Sequence, residues 1–470
     1  MMKNLGIGAG VLVAVFVGYL LHTPIPTDLA SPWCFRLLVA GLKTGDIVTA
    51  LTLYLQPSDP QLHVRALRTM IEIGLPEPDE QVLGSNLTAR YAHFDGIRVL
   101  IYEPVHRPNA LIPALVYFHG GGYALGSTKL HGALTKHLAE SLNMVLVSVE
   151  YRLAPEHPLP AGPDDGVIAT KYLLQHACEF GIDPHRITVA GDSAGGHLAA
   201  VVTQQIHDDP SVPDLKLQVL FYPWLQAMDF YTPSYQLYDH TYGNIGLSRS
   251  KVVGFVAYNL FQRLDAEFEM KVMRNMHMSA DFKRSHRFLR AFDHDIIHEK
   301  LANASFNQQF TDPESSYLFN SLSESIPKPT LVSSSSSSPF SPSSLLSSLI
   351  PVPAPYQTPD FTYEPQEAFE PGNETYWSEI QDFFLDSGMS PLFREDTSGL
   401  PKAFIATADQ DILRDDGIFY THALEQGGVE VHWKNYQGAW HGIAGMGVLQ
   451  NIPIGIEMIE DAITFIQDNI

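Results

Sequence analysis

Gly191-Asp192-Ser193-Ala194-Gly195 lies between the short apolar run Ile187-Thr188-Val189-Ala190 and an alanine-rich stretch from Ala194 to Gln205. The run reads as a buried strand and the stretch as a helix, which puts Ser193 on the sharp turn between them. Glycines at 191 and 195 permit a backbone path that a Cβ would block, so a serine there stands exposed as a nucleophile. Such a pentapeptide also arises by accident in a long chain, so its meaning depends on its company. His119-Gly120-Gly121-Gly122 follows a second apolar strand, Ala114-Leu115-Val116-Tyr117-Phe118. Attack on an acyl group creates an oxyanion that preorganised backbone N–H groups must meet, and glycines let the chain come close enough to supply them. Gly121, Gly122 and the N–H of Ala194 are the expected donors.

A serine nucleophile needs a base, and the base needs a carboxylate to orient it. The chain holds 20 histidines, so the choice rests on order: after such an elbow, an acid and then a histidine follow late strands. Strand-like Ala403-Phe404-Ile405-Ala406-Thr407 leads to Asp409, Gln410 and Asp411. Strand-like Val429-Glu430-Val431-His432-Trp433 leads through the turn-like Gly438 to His441-Gly442. Asp411 and His441 are the expected pair, with Asp409 as the rival acid. Asp415 and Asp416 read as the opening of a helix over Ile418 to Glu425, where carboxylates suit the dipole. His432 alternates with apolar neighbours on its strand and reads as structural; His197 reads as packed on the helix after the elbow.

Further stretches complete a resemblance. They are Val149-Glu150-Tyr151-Arg152-Leu153-Ala154-Pro155-Glu156-His157-Pro158, Tyr222-Pro223 with Leu225 to Phe230, Thr232-Pro233-Ser234-Tyr235, and Asp411-Ile412-Leu413-Arg414-Asp415-Asp416-Gly417. With these, the chain resembles the hormone-sensitive-lipase group of α/β-hydrolases, and within it the arylacetamide deacetylase and neutral cholesterol ester hydrolase family. The resemblance implies a mostly parallel central sheet flanked by helices, a helical cap and an N-terminal transmembrane helix. It also implies a triad of Ser193, Asp411 and His441. The activity it implies is hydrolysis of uncharged lipid or xenobiotic carboxylic esters through an acyl-enzyme. Hydrolysis of arylacetamides is the alternative, and a non-catalytic ligand-binding role is set against by the filled triad positions. Relatives commonly carry a cysteine near the end of the strand before the triad acid, where this chain has Thr407 and Ala408. Only Cys34 and Cys178 exist; their spacing gives a bridge no support, and two free, buried thiols are expected.

From Leu5 to Leu21 no residue is charged, a length that approaches a bilayer span. The run ends in His22-Thr23-Pro24-Ile25-Pro26 without a small-residue cleavage pattern, so an uncleaved signal-anchor is expected. Charges flanking it are too few to orient it. The resemblance implies a type II arrangement in the endoplasmic reticulum with a lumenal catalytic domain. Acceptor sequons at Asn86, Asn303 and Asn373 suit that side of the membrane.

The 470 residues are 45% hydrophobic, ample for one large domain. A balance of 29 Lys and Arg against 52 Asp and Glu, net −23, argues against a nucleic-acid partner. The basic residues between Lys271 and Arg290 read as a solvated helix face. No metal or organic cofactor is expected, because the chemistry needs none and the remaining histidines form no ligand motif; protein partners cannot be read. The expected organisation is an anchor over 1–22, helices and linkers that join a cap over 23–90, and an α/β-hydrolase domain over 91–470. A cap region spans about 230–390, where the strand rhythm stops, and contains a Ser/Pro-rich insertion over 327–360 too poor in packable periodicity to order itself.

Overall fold

The computed structural model describes residues 15–22, 25, 28–56, 61–73, 75, 86–242, 246–309, 372 and 374–470. Within them, eight strands form one sheet: β1 (Leu87–Phe94), β2 (Ile97–Pro104), β3 (Ile112–Phe118), β4 (Val145–Val149), β5 (Ile182–Asp192), β6 (Leu217–Phe221), β7 (Lys402–Gln410) and β8 (Val431–Trp440). Their order is β1-β2-β4-β3-β5-β6-β7-β8. β1 and β2 form a hairpin, β2 runs antiparallel to β4, and every other pairing is parallel.

β4 and β6 are buried at every position, as expected for strands covered on both faces. β1 differs. It alternates buried and partly exposed residues at the sheet edge, so its apolar signal is weak. The sheet therefore begins at Leu87, inside the segment expected to hold only helices and linkers. Asp95-Gly96, both at positive φ, close the hairpin as a two-residue turn. β8 is also longer than its sequence suggests: Gly438, at φ 70°, stays within the strand instead of ending it.

The chain also forms α1 (Pro32–Leu55), α2 (Leu62–Glu72), α3 (Gly132–Leu142), α4 (Ala161–His176), α5 (Ala194–His207), α6 (Pro233–Tyr242), α7 (Arg249–Phe261) and α8 (Ala266–Met273). After them come α9 (Ala280–Lys283), α10 (His286–Ala291), α11 (His294–Gln309), α12 (Glu374–Leu385), α13 (Arg414–Gln426), α14 (Ile443–Gln450) and α15 (Pro453–Asn469). α3, α14 and α15 pack together as one group; α4 and α5 pack as another, with α5 against β5 and β6.

The helices α6 to α12 fill the interval between β6 and β7. Within it, Lys271 pairs with Glu267 and Arg284 with Asp281, while half-buried Arg287 lies over the Phe393 ring. The Ser/Pro-rich insertion and Asn373 lie outside the described residues, as do residues 1–14 of the expected anchor. Residues 15–21 are helical. Among the described residues no helix is long and apolar enough to cross a membrane. Cys34 and Cys178 are free; Cys178 is exposed on a 3-10 turn at the end of α4 rather than buried.

The N-terminal helices are fastened to the loops at the carboxyl end of the sheet. Ala30 N–H donates to the Gly438 carbonyl at 2.9 Å, and Trp440 Nε1 donates back to the Ala30 carbonyl at 3.1 Å. Arg68 on α2 donates to the carbonyls of Ala124 and Ala154 at 2.7 and 2.6 Å and pairs with Glu156 at 2.9 Å. α1 and α2 thereby become a roof over the strand ends.

Candidate active site

In a parallel sheet, functional groups gather where strands end. Here His119 follows β3, Ser193 follows β5, Asp411 follows β7 and His441 follows β8. The elbow is tight. Ser193 has φ 56° and ψ −121°, a strained conformation costing about 1–3 kcal/mol that persists only where its surroundings hold it. Its N–H donates to the Phe221 carbonyl at 2.9 Å, and its carbonyl accepts from Trp224 and His197. A Cβ on Gly191 would lie 2.1 Å from the Gly195 carbonyl oxygen, and one on Gly195 would lie 2.0 Å from that of Phe118. Only glycine fits either position.

The structure brings Ser193, His441 and Asp411 together. His441 Nε2 lies 2.9 Å from Ser193 Oγ, and Nδ1 lies 2.6 Å from Asp411 Oδ2. A carboxylate only accepts, so Nδ1 carries the proton and Nε2 is left to accept from the serine. Asp411 is buried, and its other oxygen accepts the Leu413 N–H. Asp409 is directed elsewhere: it accepts from Asn435, and burial raises its pKa. Asp415 and Asp416 do open α13, yet both are fully buried. Asp415 holds Arg414 and the Ser234 N–H, and Asp416 holds Leu225 and Gln226. They stitch the cap to the sheet. His197 is buried between Tyr123 and the Met389 carbonyl, and burial drives its pKa down to about 4. His432 is exposed and stacks on Phe404.

The glycine loop is latched by Asp192, a residue whose role the sequence does not reveal beyond its place in the elbow. Its Oδ1 accepts from the Gly120 N–H at 2.9 Å and from the Tyr117 hydroxyl at 2.8 Å, with His131 Nε2 at 3.4 Å. Burial pushes this carboxyl up, but His131 and Tyr117 together bring it below the usual carboxylate range. Burial likewise opposes the His131 charge, yet Asp192 outweighs it and the pKa is raised. His119, stacked on Tyr151, is driven to about 4 by burial and by His131. Thus Gly120 spends its N–H on the latch, whereas among the described residues the N–H groups of Gly121, Gly122 and Ala194 make no hydrogen bond. Gly121, at φ 126°, takes a path open only to glycine. No motif in the sequence marks His131; only the fold brings it beneath the loop.

Ser193, His441 and the glycine loop line a cleft of about 320 Å³. It is continuous with a chamber of about 990 Å³, the two sharing Leu38 and Leu42 of α1, Ile71 of α2, Phe255 of α7 and Met446 of α14. Among the described residues no group of three His, Cys, Asp or Glu side chains is arranged to hold a metal ion.

A family model described as alpha/beta hydrolase fold matches residues 115–289 and 354–445. Arylacetamide deacetylase of Bos taurus is 30% identical to this chain, covering 94% of each. Neutral cholesterol ester hydrolase 1 of Bos taurus is 32% identical over 90% of this chain and 89% of its own. The chain belongs to this family of alpha/beta hydrolases. It is an enzyme, a carboxylic ester hydrolase. Among solved structures, a thermostable esterase from Pseudomonas putida superposes with a TM-score of 0.53 at 20% identity, covering 90% of this chain and 96% of its own. The metagenomic carboxylesterase EstE1 gives 0.54 at 23% identity, covering 87% and 97%. Both share the fold.

Proposed function

We propose that this family member is a membrane-anchored serine hydrolase of uncharged carboxylic esters bearing a large apolar group. The observation that carries the reading is the relay from Asp411 through His441 to Ser193, beside N–H groups that have no other partner among the described residues. His441 takes the Ser193 proton as Oγ attacks the ester carbonyl, and Asp411 steadies the imidazolium. The N–H groups of Gly121, Gly122 and Ala194 meet the oxyanion, and His441 returns the proton to the departing alcohol. Water, activated the same way, then releases the acid. A chamber about three times the volume of the reacting cleft, with nine leucines in its wall beside the polar His63, Lys251 and Glu269, suits a bulky apolar acyl or alcohol group.

Arylacetamide hydrolysis uses the same acyl-enzyme with an amine as leaving group, and the deacetylase relative supports it as the second reading. The uncharged run Leu5–Leu21 supports a signal-anchor, and the family resemblance implies a lumenal catalytic domain. Asn86 is exposed just before β1 and open to glycosylation; Asn303 lies within α11, and Asn373 remains a sequon alone.

The test is covalent labelling by a fluorophosphonate together with a series of chromogenic esters of rising chain length. Wild type is expected to label once, at Ser193, and to prefer long acyl chains, while Ser193→Ala folds but neither labels nor turns over. Labelling of the folded variant at the wild-type rate defeats the nucleophile assignment. A mobility shift by endoglycosidase, lost in Asn86→Gln, tests the lumenal placement.

A further inference from the structure

The outer face of α1 is unusual for a surface helix. Its exposed large apolar residues are Trp33, Leu37, Ile47, Leu51, Tyr54 and Leu55. At 3.6 residues per turn all of them fall within about 100° of arc, so they form one stripe along the helix. The opposite face, with Phe35 and Val39, is buried in the core. Amphipathic helices ordinarily turn charge to the water; this one turns apolar side chains out on both sides. No acidic residue lies in the stripe. Arg36 borders it, with its guanidinium 4.9 Å from the Trp33 ring.

The stripe has neighbours of the same kind. Lys43 donates to the carbonyls of Tyr19 and His22 at 3.1 and 2.9 Å, so the end of the N-terminal apolar run is held against α1. That run keeps Val15, Phe16, Val17 and Tyr19 exposed. The chamber opens on this side too. Leu37, Leu264 and Leu449, from three separate segments, line it and are each at least 40% exposed. Contiguous exposed apolar surface of this extent marks a contact face. Here the chain leading into it, Leu5–Leu21, is uncharged.

We propose that this face is a bilayer-docking surface. α1 lies in the lipid interface with its stripe among the acyl chains and Arg36 at the phosphates, and the chamber mouth faces the membrane. Apolar ester then passes from lipid to Ser193 without crossing water. The proposal rests in part on the signal-anchor reading, and one experiment separates the two. Full-length protein is mixed with phosphatidylcholine vesicles containing acyl-chain-brominated lipid, and both flotation and tryptophan fluorescence are read. Trp33 is 67% exposed, whereas Trp224, Trp377 and Trp440 are buried and Trp433 is half-buried. Bromination is expected to quench wild-type fluorescence, with at least half of that quenching lost in Trp33→Phe. Flotation with no difference between wild type and Trp33→Phe overturns the docking face and leaves the anchor standing. Quenching without stable flotation defeats the anchor alone, and absence of both defeats both.

The variant Leu51→Asp with Tyr54→Asp, which touches neither cleft nor chamber, supplies the functional reading. It should hydrolyse a soluble acetate ester at the wild-type rate, and a long-chain ester embedded in vesicles about tenfold more slowly. Equal rates on the embedded ester overturn the proposal. So does a dimer that this variant breaks while Trp33 stays unquenched, because the stripe then belongs to a second copy.

Discussion

The floor and the roof of the candidate active site are built on different principles. On the floor, the groups that set the geometry around Ser193 are held by named partners: Asp411 and His441 by each other, and the Gly120 N–H and Tyr117 by Asp192. Glycine positions there leave no space for a Cβ. The roof of α1, α2 and α7 sets Leu38, Leu42, Ile71 and Phe255 beside Asp46, His63 and Lys251 around the chamber, and α1 keeps an apolar stripe exposed on its outer side. The difference teaches that chemistry is fixed by backbone geometry and hydrogen bonds, which tolerate few residue types. Substrate choice, and the membrane contact proposed above, rest on packing, which tolerates many.

Substitutions on the floor should therefore act on kcat whatever the ester, and those on the roof on KM for particular esters. Asp411→Asn, with its shape preserved, should leave His441 in the wrong tautomer and lower kcat by about 10⁴-fold with the melting temperature little changed. Steady-state kinetics on short and long esters should show equal losses; a loss confined to long esters would break the division. Asp192→Asn weakens the latch on the glycine loop without touching the reacting atoms. A fall in kcat of about 10–100-fold is expected, less than the roughly 10²–10³-fold typical of removing an oxyanion donor outright, with KM unchanged for the acetate ester. Gly41→Phe tests the roof. A Cβ at Gly41 meets nothing within 4 Å and faces the chamber. The phenyl group should raise KM for a long-chain ester about tenfold, equivalent to about 1.4 kcal/mol, and leave turnover of the acetate unaltered.

The same division decides what could be read from the sequence. Ser193, Gly121 and His441 were legible because strained turns and strand ends admit few residues and carry a fixed order along the chain. The parallel strands were legible as continuous apolar runs. β1 was not, because an edge strand that mixes Thr, Arg and His among its apolar residues has little pattern to detect. Gly438 looked like a turn, yet its positive φ is accommodated inside β8 because the strand irregularity falls there and Ala30 pairs across it. Asp415 and Asp416 looked like helix-dipole partners, and only the packed cap reveals them as buried anchors for Ser234, Leu225 and Gln226. The roof was least legible: the apolar stripe of α1 has a helical period, but sequence alone gives no sign of which face the core takes.

The smallest effect expected on the floor is one of pH. Beneath the glycine loop His131 faces Asp192, His119, Tyr117 and Glu150, and its pKa is raised while that of Asp192 is lowered. A lowered carboxylate contributes stability above its ordinary range, and that contribution fades as the pH falls through the lowered value. A raised imidazole contributes fully below about pH 6.5 and loses its share as the pH climbs through the raised value. Both contributions coexist in mildly acidic solution, and only that of His131 is lost on going alkaline. Thermal denaturation of wild type should show a stability greater at pH 6 than at pH 9 by on the order of 1–2 kcal/mol, the size of one charge-assisted hydrogen bond. His131→Gln should flatten that interval while keeping kcat near the wild-type value at pH 9. An unchanged slope in the variant would mean that the alkaline loss arises elsewhere, and that the latch on the floor holds through Gly120 and Tyr117 without any help from the charge of His131.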